Sequence, residues 1–290
     1  MKKIFSALLI LFMLISSLTL TAAADGASVS VSDAAGFSAA LGTVADGGVI
    51  TLTGKVAVSS DFKWSAHNKS ITVTGGTLDL SAVTDLVFGD DVCFENTTVV
   101  FKDGGNVYAN GHALTVKSSA TVTNTANLYG GSKGGTLNSS TSLHIESGNY
   151  YKIFGGSNGG TVNGDTYVYV GGNTNTSCDW TDHNGTYTIY GGGNGCKING
   201  NTYVTVEGSA KANYVFGGSM GSGSTISGRS NLNFGGSAKA MSLYGASNGV
   251  NTGNDATLIM TGGEIQQMFG GCQGASLSKS SGEVDVSVKA

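Results

Sequence analysis

From residue 126 onward, apolar and polar positions alternate in short runs. Thr166-Tyr-Val-Tyr-Val170 and Thr202-Tyr-Val-Thr-Val206 have a period of two. Successive side chains on a strand point to opposite faces, so each run predicts a half-buried strand. The units carrying these runs open on an aliphatic residue, an aromatic and a glycine. The aromatics are Tyr129, Phe154, Tyr190, Phe216, Tyr244 and Phe269, spaced 25, 36, 26, 28 and 25 residues apart. Eight residues after the aromatic come Leu137, Val162, Ile198 and Leu277. Fourteen after come Leu143, Val168, Val204 and Leu258, and sixteen after come Ile145, Val170, Val206 and Met260. The Phe216 unit runs two residues late, at Leu232 and Phe234. The spacing of 36 contains an insertion around Asn173–Asn184.

No unit has a helical pattern, and a lone unit of about three short strands cannot bury its apolar face. Stacking copies at ~4.8 Å solves this, because equal columns then form continuous inward aliphatic stacks and outward rows of Thr, Ser, Asn and Tyr. A coil of 25–28 residues suits three strands and three corners. That predicts an all-β fold, a parallel β-helix, rather than a propeller, whose blades need ~40–50 residues. The usual crossover of parallel strands makes it right-handed. Residues 49–125 offer looser strands at Ile50–Thr53, Ser70–Thr74, Thr97–Phe101, Ala113–Val116 and Thr121–Thr123, read as divergent first coils. Residues 25–48 read as an N-terminal cap. Ser32 or Asp33 can N-cap a short helix; Phe37, Ala40, Leu41 and Val44 share one face, and Gly47-Gly48 would end it. Residues 126–290 are the regular coils of the same solenoid.

Glycine fills 47 of 290 positions, against an average share of about 7%. Inside strands glycine is destabilising, so these residues are expected at tight corners that need positive φ. Proline is absent and charged residues are 12%. The net charge of −4 and a single arginine, Arg229, argue against nucleic acid as a partner.

Residues 1–24 read as a signal peptide. Lys2 and Lys3 form the positive region, Ile4 to Leu20 the apolar run, and Ala22-Ala23-Ala24 the small residues for cleavage. The chain is therefore expected to be exported, extracellular or at the cell surface, with no later stretch able to span a bilayer. Cys93, Cys178, Cys196 and Cys272 lack zinc or CxxC spacing. Cys178 and Cys196 flank the insertion and are a candidate disulfide; four unpaired cysteines are the equal alternative. No cofactor or metal is expected.

Three motifs carry a family likeness: Tyr/Phe-Gly-Gly-Ser-x-Gly, Asn-Gly-Asp/Asn-Thr-Tyr-Val, and Val107-Tyr-Ala-Asn-Gly-His112. With these the chain resembles the right-handed parallel β-helix repeat proteins exported by gut and other Gram-positive bacteria, which belong structurally with the pectate-lyase-like superfamily. The resemblance covers about residues 30–290. It implies the fold, but it leaves activity open, because the superfamily includes lyases, hydrolases, adhesins and plain surface spacers. Many such proteins carry a C-terminal wall anchor. This chain ends at Val286-Ser-Val-Lys-Ala290, in mid-strand by the repeat register. Either a truncated product or an open last coil available for end-to-end self-association is expected.

Sugar-cleaving β-helices need paired carboxylates or a metal with a basic residue, and the repeat columns show neither. Asp165 aligns with Asn138 and Asn201. Asp90-Asp91 and Arg229 read as solvated turns. The insertion holds Cys178, Asp179, Trp180, Asp182 and His183, of which Asp179, Trp180 and Asp182 are candidate ligand-binding residues. Tyr167 and Tyr203 share an outward column, with Tyr169 two residues along. Such a row can stack against sugar rings, or simply form a cross-strand ladder. The expected role is structural, adhesive or glycan-binding, with polysaccharide or host or cell-surface glycan as partner. The alternative is a polysaccharide lyase or glycoside hydrolase.

Overall fold

The computed structural model describes residues 28–175, 187–250, 254–274 and 284–288. The signal segment, and Cys178, Asp179, Trp180, Asp182 and His183 of the insertion, lie outside the described residues. The fold is a parallel β-solenoid of about nine turns with one short helix near its N-terminus. Each regular coil contributes one strand to each of three sheets. In one coil these are Tyr150–Phe154 on the second sheet, Thr161–Val162 on the third and Thr166–Val170 on the first. All pairings between coils are parallel.

The registers reproduce the columns read from the repeat. Leu143, Val168, Val204, Leu232 and Leu258 are successive partners across the first sheet, as are Ile145, Val170, Val206, Phe234 and Met260. The Phe216 unit is thereby back in register despite its late strand. All but Met260 are buried. Four short strands have no counterpart in the sequence reading: Ser28–Val31, Asp85–Val87, Asp91–Phe94 and Asn106–Tyr108.

The repeat aromatics form a core of their own. On the second sheet Ile153 faces the main core, while the next residue, Phe154, packs into a separate cluster at the corner with Tyr108, Tyr129, Tyr190, Phe216 and Tyr244. Neighbouring rings stack 4.6–5.0 Å apart from Tyr108 through Phe269. This spacing is the coil repeat itself, so the ladder needs no distortion to gain ring contact.

The glycine that follows each aromatic has a different cause from the one expected. Gly130, Gly155, Gly191, Gly217 and Gly245 do not have positive φ. A Cβ on each would lie 2.1–2.3 Å from a carbonyl oxygen of the next coil. That carbonyl also accepts a buried threonine hydroxyl: Thr141 Oγ1 donates to Gly155 O (2.5 Å) and Thr166 Oγ1 to Gly191 O (2.6 Å). Close approach of two backbones excludes the side chain here. The expected positive φ is found at other corners, as at Gly159 and Gly160.

At the N-terminal end the helix Ala34–Thr43 packs on the strands Ser28–Val31 and Gly48–Ala57. Asp33 is the N-cap, its carboxylate accepting from Gly36 N–H at 2.7 Å. The helix stops at Thr43, ahead of Gly47-Gly48, because Val44 turns to extended backbone. Lys69 Nζ then donates to the freed carbonyls of Gly42 (2.9 Å) and Val44 (2.6 Å). Asp90 is fully buried, which corrects its reading as a solvated turn. It accepts from Trp64 Nε1 and from the backbone N–H of His67 and Lys69, and faces His67 Nδ1, at 3.0–3.2 Å. One carboxylate thus fastens the segment that closes this end of the core.

Among the described residues no helix is long and apolar enough to cross a membrane.

Candidate functional site: an aromatic cleft on the first sheet

The outward face of the first sheet follows from the same period that buries its valines. On Thr166–Val170, Val168 and Val170 point inward, so Tyr167 and Tyr169 must point out. Register places Ser142, Tyr167, Tyr203 and Asn231 in one outward column. His144, Tyr169, Thr205 and Asn233 form the next. Two aromatic pairs result, staggered by one coil. Tyr167 and Tyr203 stack at 5.0 Å with planes 4° apart, and His144 and Tyr169 stack at 4.2 Å and 10°. The columns are two residues apart, about 7 Å along the strand.

Between them lies a shallow cleft of about 150 Å³ lined by Ser142, His144, Tyr167, Tyr169, Tyr203 and Thr205. The stagger leaves ring surface uncovered. Ser142 is the coil neighbour of Tyr167 and is too short to cover the ring face directed at it. Tyr167 is 43% exposed. The sequence reading brought together Tyr167, Tyr169 and Tyr203, and the structure adds His144 beside them. Counting fifteen residues from each unit's aromatic places His144 in the column of Tyr169.

Each of three wall residues ends on a carboxylate. Tyr167 Oη donates to Asp165 Oδ2 (3.1 Å), Tyr169 Oη donates to Glu207 Oε1 (2.8 Å), and His144 Nε2 meets Glu146 Oε1 (2.9 Å). These contacts fix the rings and leave carboxylate lone pairs at the rim. Burial, then the hydrogen bond to Glu207, pushes the Tyr169 phenol up to about 12. Burial and Asp165 also raise Tyr167. The bond from His144 is the main cause holding the Glu146 carboxyl below its ordinary range. Glu146, Gly171 and Glu207 occupy one corner column. A Cβ at Gly171 would lie 2.6 Å from Tyr169 Oη, so this glycine makes the room in which that ring lies.

The corner before the cleft is a second ladder. Ser140 Oγ accepts from Asp165 N–H, Asp165 Oδ1 from Asn201 N–H, and Asn201 Oδ1 from Arg229 N–H, at 3.1, 2.7 and 2.8 Å. Asp165 therefore serves both the backbone and Tyr167. The Arg229 guanidinium bonds Asp255 Oδ2 and Thr257 Oγ1, each at 2.9 Å.

The insertion around Asn173–Asn184 falls between the first-sheet strand Thr166–Val170 and the second-sheet strand Thr188–Tyr190, with Asn175 and Tyr187 the described residues on either side of 176–186. Cys196 is buried with Val162, Ile198 and Ile226 on the third sheet. A further, partly exposed pair, Tyr151 and Tyr187, stacks at 5.7 Å. A larger cavity of about 590 Å³ lies at the N-terminal edge of the second sheet, among Phe62, Trp64, Val83, Leu86, Val87 and Asp85. Its walls are the closing segment and the edge strand, and it is remote from the tyrosines. Among the described residues no group of three or more His, Cys, Asp or Glu side chains is placed to hold a metal ion.

No protein-family model, no curated protein and no solved structure matches the chain.

Proposed function

We propose that this protein is an exported, surface-associated β-solenoid of the Gram-positive β-helix repeat type that binds glycan chains along its first sheet, in a structural or adhesive role and without catalysis. The observation that carries the reading is the pair of staggered aromatic stacks, Tyr167–Tyr203 and His144–Tyr169, around one open cleft. A ladder serving stability alone covers its ring faces, as the buried Phe154 ladder does. Here ring surface is left toward solvent and is bordered by hydrogen-bond acceptors. Such an arrangement suits a sugar ring, which has an apolar face and a polar edge. The residue pattern of positions 1–24 supports export.

The polysaccharide-cleaving alternative has one observation in its favour. Glu146 and Glu207 stand in one corner column, two coils and so about 9.6 Å apart at the backbone, close to the carboxylate separation of inverting glycosidases. Against it, neither carboxylate lies in the apolar pocket that a general acid needs: Glu207 is exposed and Glu146 is held on His144.

The test is a glycan and polysaccharide array with the purified protein, followed by assays for released reducing ends and unsaturated products. The proposal expects binding without turnover, reduced at least tenfold by Tyr167→Ala or Tyr169→Ala. Turnover lost in Glu146→Gln or Glu207→Gln would replace it with the enzymatic reading.

A further inference from the structure

The rim of the cleft carries information about which glycan it takes. Its three aromatic walls end on Asp165, Glu146 and Glu207. Glu207 is exposed, while Asp165 and Glu146 are partly exposed, and all three sit beyond the lining side chains, at the tips of the wall residues. The opposing charges are few and already placed. Lys117 precedes Glu146 in the corner column, with Glu95 on its other side. Arg229 is two coils beyond Asp165 and is bound to Asp255. His144 is held on Glu146. Counted together around the cleft, the carboxylates Glu95, Glu146, Asp165, Glu207 and Asp255 outnumber Lys117, Arg229 and His144.

Resting on the glycan reading above, we propose that the cleft is selective for amino sugars: it takes glycans bearing protonated amino groups and rejects uronic acids. The tyrosine faces supply stacking that any pyranose ring can use. The rim supplies the discrimination. An ammonium group has donors only, and each rim carboxylate is an acceptor fixed by its own bond to a ring of the wall. A uronate placed on the same ring face brings a like charge to the rim and must give up hydration with no donor of positive charge to replace it. Each interaction is solvent-screened, so the expected discrimination is moderate, about tenfold to a hundredfold at low salt, and decreases as salt rises.

The experiment compares three hexasaccharides on the full protein by calorimetry at pH 6: the fully deacetylated glucosamine oligomer, its N-acetylated form, and oligogalacturonate. The expected order is deacetylated, then acetylated, with oligogalacturonate at least tenfold weaker than the first. In the double variant Glu146→Gln/Glu207→Gln, which keeps an acceptor for Tyr169 and His144, the three should converge while Tyr167→Ala weakens all of them. Neutralising acids elsewhere, Asp46→Asn and Asp103→Asn, should leave the order unchanged; loss of the preference there would make it a bulk-charge effect and overturn the proposal. Equal binding of the three by the unaltered protein, or tighter oligogalacturonate, overturns the selectivity while leaving the glycan reading intact. Binding of none overturns both.

Discussion

Replacing Gly155 by alanine puts a Cβ 2.1 Å from Gly191 O and 2.9 Å from Val168 Cγ2. Ordinary contact begins near 3.4 Å, so the coils must part by more than 1 Å at this point. Two bonds cross there: Gly155 N–H to Tyr190 O (2.9 Å) and Gly156 N–H to Gly192 O (3.1 Å). Losing both, at ~1 kcal/mol each, and leaving buried groups unpaired gives a cost of about 3–5 kcal/mol. Gly159→Ala is the control. Its φ is +81°, and nothing lies within 4 Å of the added Cβ. Its cost is the left-handed backbone penalty of about 1–2 kcal/mol, partly offset by the stiffer unfolded chain. Urea unfolding followed by circular dichroism should therefore show a much larger midpoint shift for Gly155→Ala. Coils of a solenoid can unfold separately, so the first transition is the one to compare. Equal shifts, or a larger one for Gly159→Ala, would refute the claim that backbone approach, rather than turn geometry, fixes the repeated glycine.

Two further outcomes follow from the site and the cap. A spectrophotometric titration of the protein minus that of Tyr169→Phe should show one phenol ionising near pH 12, and Glu207→Gln should lower it toward the ordinary 10. Because the folded value lies above the unfolded one, this group's contribution to stability is complete below pH 10 and is lost as pH rises through about 12. Asp90→Ala removes the common acceptor of Trp64, His67 and Lys69; it should cost roughly 3 kcal/mol, redden Trp64 emission and open residues 60–69 to proteolysis, with an unchanged cleavage rate as the contrary result.

Much of the architecture was legible because apolar columns recur at fixed offsets from each aromatic. Val162, Val168 and Val170 recur as Ile198, Val204 and Val206, and only stacking gives such columns a shared core. The aromatic's own facing was not legible. Ile153 and Phe154 are both buried, which breaks the period of two, because the chain leaves the sheet at Phe154 and faces a second core. The strands Asp85–Val87 and Asn106–Tyr108 were hidden for another reason: three residues between polar corners carry too short a pattern. In the cleft, the outward column of Tyr167 and Tyr203 was readable by the same counting. Its carboxylate tips were not, since Glu207 reaches Tyr169 from the next coil, 38 residues away. The reading of Asp90 failed because a buried acid in a loop looks like a solvated one until its donors, 21 to 26 residues earlier, are placed around it.

The central claim is that glycan is held on the first sheet's aromatic cleft. Tyrosine-selective oxidative footprinting, read by mass spectrometry with and without a glycan that binds on the array, tests this most directly. The account predicts protection of Tyr167, Tyr169 and Tyr203, with Tyr151 and Tyr214 on the second sheet, and Tyr187 just before it, unchanged. Protection of Tyr151 and Tyr187 with Tyr167 still fully reactive would contradict it.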